Sequence, residues 1–317
     1  MGKKEILIIK TGYSEVLDNS QSSFKPSFGD ILRTTPLLHL YKSDNVTWVT
    51  DKDAFPLLEG NTYIHKLLPL EFTSAMHLLE EDFDILINLE KNHDICNFSK
   101  RISAWRKHGF RIDAKTQRVE AYDRAYESFS ISSDPEMKKK NKRHVQELLF
   151  EMAGSTWKGE KYILPYSPKI SKKYDICLNN KIGQKWPTKA WPEENWNRLE
   201  KMLVRRGLKV SRQDKQGKEV LENLYSYMDW INSGEVLVTN DSLGMHLGIC
   251  FEKKVLGLFG ATPHAEVYFY GNGKAILPSP YPDCAPCFKG ICERGNNCME
   301  EIFPEEVYDE VLNILTT

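Results

Sequence analysis

The stretch Glu235–Phe259, EVLVTNDSLGMHLGICFEKKVLGLF, decides the fold. Glu235–Asn240 is an apolar run that reads as a buried strand. Leu243–Cys250 reads as a short helix, and Lys254–Phe259 as a second strand. A strand, a helical crossover and another strand make a parallel βαβ unit. At the break stand Asn240, Asp241 and Ser242, with Gly244 and His246 entering the helix. Such a helix start offers free N–H groups and a positive dipole end, which suit a diphosphate. The competing reading is a capping Asp241 with a core-facing His246.

The same rhythm extends in both directions. Downstream, Val307–Leu315 reads as a closing helix. Upstream, Tyr174–Leu178 and Leu208–Ser211 read as strands and Glu193–Arg206 as a helix, with Pro192 in its tolerated first turn. Glu219–Met228 reads as a further helix. In the first half, Ile6–Ile9, Val46–Thr50, Ile64–Leu68 and Phe83–Leu89 read as strands. Ile31–Tyr41, Ala54–Leu58 and Ser74–Glu80 read as helices, the first kinked or restarted at Pro36. The Pro-, Lys- and Ser-rich segment YILPYSPKISKKYD places a linker near residues 163–173. The expectation is an α/β protein with two Rossmann-like domains, 1–165 and 170–317, whose parallel sheets face across a cleft. Open parallel sheets bind ligands at the carboxyl ends of their strands.

Length and composition agree with two soluble domains. The chain has 317 residues, 41% hydrophobic and 27% charged, with a formal charge of -1. Bulk charge therefore offers no argument for nucleic-acid binding. The basic runs Lys100–Arg111 and Lys138–Arg143 read as solvated faces or as contacts with an anionic surface such as phosphorylated lipid. The opening MGKKEILIIKT is a first strand rather than a signal peptide, and no run approaches a membrane span. A cytosolic location follows as an expectation, in which the seven cysteines stay reduced. No G-x-G-x-x-G follows the first strand, and neither a Walker A loop nor a G-x-S-x-G elbow occurs.

Three further constellations carry chemistry. In Lys25–Leu38, KPSFGDILRTTPLL, Asp30 stands where a loop becomes a helix. It either caps that helix or is a carboxylate aimed at a substrate from the carboxyl end of the first strand. Arg33, one turn on, either holds a substrate phosphate or pairs with Asp30. In KWPTKAWPEENW, Lys185 and Lys189 precede a helix and suit a phosphate as point charges. The tryptophans there read as packing residues. In CAPCFKGICERGNNC, Cys284, Cys287, Cys292 and Cys298 read as a structural zinc or iron site, as reduced structural thiols, or as redox groups. His264 is a candidate extra ligand, and the isolated Cys96, Cys177 and Cys250 read as buried small residues.

Taken in order, ILIIKT with GDILRTTPLL, KAWPEENW, and VTNDSLGMHLGICFEKKVLGLFGATPH resemble glycosyltransferase family 9, the ADP-heptose:lipopolysaccharide heptosyltransferases. The resemblance covers most of the chain. It implies a GT-B fold and an inverting transfer of a sugar, heptose above all, from a nucleotide-diphosphate donor to a lipopolysaccharide core or related glycan or glycolipid. It implies Asp30 as general base, Lys189 (or Lys185) on the donor phosphates, and Asp241, Ser242, Gly244 and His246 in the donor loop. It implies no catalytic cofactor and a cytoplasmic enzyme, peripheral at the inner face of the inner membrane. The alternatives are a transferase using another nucleotide sugar and a non-catalytic nucleotide-sugar binder. The chain departs from the family pattern in a longer loop before Gly29, a donor-loop glycine shifted by one position, and the cysteine tail.

Overall fold

The computed structural model describes residues 2–13, 26–183, 186–215, 221 and 223–316. They form two compact units, Met1–Tyr166 and Ser167–Thr317.

The first unit is a six-stranded sheet. Its strands are β1 (Glu5–Ile9), β2 (Asn45–Thr50), β3 (Lys66–Pro69), β4 (Asp82–Asn88), β5 (Ser103–Ile112) and β6 (Val119–Ala121). The order is β3-β2-β1-β4-β5-β6, parallel except for the β5–β6 pair. In β1, Ile6 through Ile9 are fully buried. An unbroken apolar run, rather than alternation, is what a strand covered on both faces requires. Leu7 and Ile9 pack with Val49, Leu78, Phe83, Leu86, Ile95 and Ile102. Leu78 comes from the Phe72–Glu80 helix and Ile95 from the His93–Arg101 helix.

The second unit is a five-stranded, wholly parallel sheet. Its strands are β7 (Tyr174–Asn179), β8 (Val210–Arg212), β9 (Gly234–Asn240), β10 (Lys254–Leu258) and β11 (Gly273–Ile276), in the order β11-β10-β9-β7-β8. Trp196, Leu199 and Leu203 give the Glu193–Arg205 helix its buried stripe. Val307 and Val311 do the same for the Pro304–Thr316 helix, and both stripes cover Ile176, Val236, Val238, Leu256 and Leu258. Strand order reverses between β1 and β4 in one sheet and between β7 and β9 in the other.

The structure departs from the sequence expectation in several places. The helix expected over Ile31–Tyr41, kinked or restarted at Pro36, is an α-helical turn, Phe28–Leu32, and a 3-10 helix, Thr35–Tyr41, that restarts at Pro36. Pro36 lies in the first turn of the second piece, where its missing N–H costs nothing. Strand β5, SAWRKHGFRI, escaped notice because its first half is an edge with Trp105 exposed, and β6 pairs only with Phe110–Ile112. Charged residues on an open edge discourage pairing with other chains. The basic run Lys100–Arg111 is therefore largely this edge strand. The helix expected over Glu219–Met228 runs Leu224–Asn232, begun by Asn223, whose Oδ1 accepts from the Ser226 N–H at 2.9 Å. Residues 219, 220 and 222 lie outside the described residues. Cys250 is half-buried, whereas Cys96 and Cys177 are buried as expected.

Leu7→Ala removes a fully buried side chain from the central strand and should cost about 3 kcal/mol in urea unfolding. Phe72→Ala, at a position 80% exposed, should change stability by less than about 0.5 kcal/mol.

Candidate active site

Parallel sheets place ligands beyond the carboxyl ends of their strands, where strand order reverses. In the first unit that point lies between the ends of β1 and β4. Lys10, Thr11 and Gly12 follow β1, and Glu90 closely follows β4. Glu90 is fully buried; its Oε1 accepts the N–H groups of Thr11 at 2.5 Å and Gly12 at 2.8 Å. Lys10 Nζ lies 3.5 Å from the same oxygen and pairs with Asp30 Oδ2. Asp30 Oδ1 accepts from Arg33, 2.8 Å from Nε and 2.6 Å from an η nitrogen.

Gly12 makes this approach feasible. Its φ is +87°, and a Cβ there would stand 2.9 Å from Ser27 N and 3.1 Å from Ile31 Cδ1. Ser27 N–H donates to Gly12 O at 2.9 Å, tying the helix that bears Asp30 to the end of β1. Asp30 lies inside that helix, and Ser27 occupies the cap position. Capping is thus not what Asp30 does, and Arg33 pairs with it. Beside them Tyr13 OH donates to Asp51 Oδ2. The buried hydroxyls of Thr11 and Thr50, at the ends of β1 and β2, have no hydrogen-bond partner among the described residues.

The cluster sets its own protonation. Burial alone would raise the Asp30 value, but the Lys10 and Arg33 cations outweigh it and hold the carboxyl well below the usual range. Burial likewise opposes the charge on Lys10, and the carboxylates of Asp30 and Glu90 outweigh it and raise the lysine. Asp30 is therefore ionised at neutral pH, with both oxygens engaged.

The second unit repeats the plan between β7 and β9. Asp241 follows β9, and Ser242 is the N-cap of the Leu243–Cys250 helix, so Asp241 is no cap either. Lys189, from a 3-10 turn over Pro187–Lys189, brings Nζ to 2.8 Å from Asp241 Oδ2. The Thr262 hydroxyl donates to the same oxygen at 2.7 Å. Burial pushes the Asp241 carboxyl up, but Lys189 first, then His246 and Thr262, bring it down to about 2. His246 is buried, close enough to act electrostatically on Asp241. Asn179, the last residue of β7, donates to Thr239 Oγ1 at 2.7 Å and Ser242 Oγ at 3.0 Å, and accepts from Tyr227 OH at 2.7 Å. Gly244 lies against them: a Cβ there would stand 2.3 Å from Tyr227 OH and 2.4 Å from Asn179 Nδ2. The buried Oδ1 of Asn180 has no partner among the described residues. Unpartnered buried polar atoms are rare enough that each calls for an explanation, a bound ligand among them.

The structure thus brings Asp30 and Arg33 together in one cluster, and Lys189, Asp241, Ser242, Gly244 and His246 around the other switch point. Lys185 lies outside the described residues. Trp191 and Trp196 are buried and meet edge to face at 4.8 Å, as packing residues do. Sequence reading missed Lys10, Gly12, Glu90, Asn179, Tyr227 and Thr262. For Lys10 and Glu90 a signal existed, a lone charge just beyond each apolar strand run. For Asn179 and Tyr227 none did, because 48 residues separate the two partners.

The cysteines are all free. Burial raises the Cys298 thiol to about 11, and Cys287, Cys284 and Cys292 add to the rise, so the four sulfurs share one neighbourhood. Among the described residues no group of three or more His, Cys, Asp or Glu is arranged to hold a metal ion. As placed, the four thiols do not close into a ligand set. No helix of the described residues is long and apolar enough to cross a membrane. A cavity of about 390 Å³ opens beside Lys254, Gly273, Lys274 and Glu310, at the amino-terminal ends of β10 and β11. It is the wrong edge for a sheet-bound ligand and holds none of the residues above.

Two doubly wound parallel sheets, each with a charged cluster at its reversal point, define a GT-B type of protein. The chain belongs to glycosyltransferase family 9 (heptosyltransferase), whose model matches residues 73–297. It is 30% identical over 82 residues to lipooligosaccharide heptosyltransferase 2 of Campylobacter jejuni subsp. jejuni serotype O:2, 26% of either chain. The match thus spans about a quarter of the curated relative's length. Among solved structures it resembles E. coli ADP-heptose lps heptosyltransferase II, with 16% identity, 98% of each chain covered and a TM-score of 0.67. It also resembles the iron-containing dodecameric glycosyltransferase TibC from enterotoxigenic E. coli, with 12% identity, 99% of this chain and 76% of that one covered, and a TM-score of 0.59.

The Asp241 carboxyl, lowered from 3.8 to about 2, adds stability that is fully present above pH 4 and is lost as pH falls through its folded value. Urea unfolding between pH 5 and 2 should show wild type losing about 2 kcal/mol more than Asp241→Asn. Equal losses would mean that Lys189 does not hold this carboxylate ionised.

Proposed function

We propose that this protein is an inverting glycosyltransferase. It transfers a sugar, in the first instance heptose from an ADP-heptose donor, to a lipopolysaccharide core or related glycan acceptor. The observation that carries the reading is a buried carboxylate, Asp30, kept ionised at the reversal point of the first sheet. The first unit then serves the acceptor and the second the nucleotide sugar.

In this reading the acceptor hydroxyl oxygen attacks the anomeric carbon as the bond to the donor phosphate breaks. The hydroxyl proton passes to Asp30, and the electron pair leaves with the nucleoside diphosphate. Asp30 is a weak base in the free protein, because Lys10 and Arg33 occupy its oxygens. An incoming hydroxyl must share or displace one of these contacts, so proton transfer comes late. A positioned base of this kind contributes roughly 10²–10⁴ in rate. Charge growing on the leaving diphosphate is the larger demand. Lys189, exchanging Asp241 for phosphate, and the helix start at Ser242–Gly244 meet it, with His246 beside them. Lys185 is the alternative phosphate lysine.

No cofactor takes part in catalysis in this reading, and peripheral contact with a membrane follows from a glycolipid acceptor. A structural zinc or iron at Cys284, Cys287, Cys292 and Cys298 is a separate proposal, supported by the shared neighbourhood of the four sulfurs. It requires the tail to rearrange. Untagged protein should then carry about one zinc or iron per chain, and a metal-free protein of equal melting temperature would reject it.

Asp30→Asn should abolish transfer, by at least about 100-fold, while leaving donor affinity unchanged. Turnover within a few fold of wild type would remove Asp30 as the base. Lys189→Ala should weaken nucleotide-diphosphate binding about tenfold or more; a larger loss in Lys185→Ala would move the role there. Thermal-shift screening of ADP-, UDP- and GDP-linked sugars should favour the ADP sugar, and a larger shift with another would reassign the donor.

A further inference from the structure

We propose that Thr188 and Asn297 are positioning residues for Lys189, and that the cysteine-bearing tail is the brace that holds them. The proposal rests on the reading of Lys189 as the donor-phosphate lysine.

Lys189 ends a 3-10 turn of three residues, too short to fix its own place. Its ammonium sits on a flexible four-carbon stem, so the backbone beneath decides where the charge can reach. That backbone is held from the tail. Thr188, buried in the middle of the turn, donates its hydroxyl to Lys289 O at 2.6 Å. Its own carbonyl accepts from Asn297 Nδ2 at 3.2 Å. Asn297 is in turn fixed as the cap of the Cys298–Glu301 turn. Its Oδ1 accepts from the Met299 N–H at 3.1 Å, and its N–H donates to Glu300 Oε1 at 3.3 Å.

The tail also grips the far side of the cluster. Phe288 N–H donates to Ala261 O at 2.9 Å, next to Thr262, whose hydroxyl holds Asp241. Gly260 faces the tail so closely that a Cβ would stand 2.7 Å from Cys298 Sγ and 2.8 Å from Met299 Sδ. Two residues beyond Lys189, Trp191 Nε1 donates to Ile302 O at 2.9 Å, and its N–H donates to Asn240 Oδ1 at 3.1 Å. One segment therefore reaches both the lysine and the strand end that carries its partner. This gives the tail a role that does not depend on a metal. It sets the position of a charge on which the diphosphate draws.

The test is ADP affinity by titration calorimetry on the full chain, with the nucleotide-free melting temperature of each variant. Thr188→Val removes the hydroxyl at constant shape. Asn297→Ser keeps a capping oxygen and removes the amide donor. Each should weaken ADP about three- to tenfold, and Thr188→Ser should restore affinity to within about twofold of wild type. Wild-type ADP affinity in Thr188→Val and Asn297→Ser, with loss in Lys189→Ala, would overturn the positioning role and leave the donor reading intact. Recovery of melting temperature without recovery of affinity in Thr188→Ser would overturn it as well. Unchanged affinity in Lys189→Ala would overturn the donor-phosphate reading and the proposal with it. If Thr188→Val fails to fold, Asn297→Ser against wild type decides the matter alone.

Discussion

A strand covered on both faces has no place along its length for a charge, and the central strands β1 and β9 are organised by that constraint. Ile6–Ile9 in β1 and Val236–Val238 in β9 are sealed from water. Polar chemistry is displaced to the strand ends, and the carboxyl ends at the reversal points leave a gap between diverging crossovers. Lys10 and Glu90 collect at one such gap, Asn179 and Asp241 at the other. Gly12 and Gly244 are the places where the chain gives up a side chain so that its neighbours can approach.

Charges gathered there are largely removed from water and must be paired. An isolated buried ion costs several kcal/mol, and a pair recovers this only with good geometry and further hydrogen bonds. The first cluster meets that condition by sharing: Lys10 between two carboxylates, Asp30 between two cations, and Glu90 Oε1 among Lys10 and two backbone N–H groups. The second uses one lysine, one carboxylate and a hydroxyl. Such networks hold their members in one protonation state, and that restrains function. A carboxylate stabilised by two cations has little appetite for a proton until a substrate alters its company. The same pairing that keeps Asp30 ionised leaves it a weak proton acceptor until one of those contacts is shared or displaced.

Several features of this arrangement were legible in the residues. The Gly29–Asp30 pair, beyond the long polar loop after the first apolar run, and the polar triplet Asn240–Ser242, directly after a later one, marked both strand-to-helix junctions. Lys189 and His246 stood out because a cation or imidazole at such a junction has a chemical use. The cysteine tail stood out by composition. Of the readings composition allowed for it, a metal site, reduced thiols or redox groups, the described residues show four free thiols that do not close into a ligand set. The hydrogen bonds that Thr188 gives to Lys289 O and accepts from Asn297 could not be read, because each spans about a hundred residues and involves amide and hydroxyl groups common in any loop.

Local chemistry in the chain determined the alternation of strand and helix, the two-domain α/β class and the candidate carboxylates and lysines, since these follow from hydrophobic period and neighbouring residue types. Only the tertiary structure decided what each candidate touches. It removed Asp30 and Asp241 from the caps of their helices and gave them cations instead. It put Lys10 and Glu90, 80 residues apart, on opposite sides of one strand pairing. The physical reason is that strand order is set by packing summed over a whole sheet, a quantity that no short stretch carries, while distance between side chains is what decides whether a charge is a base, a partner or a ligand.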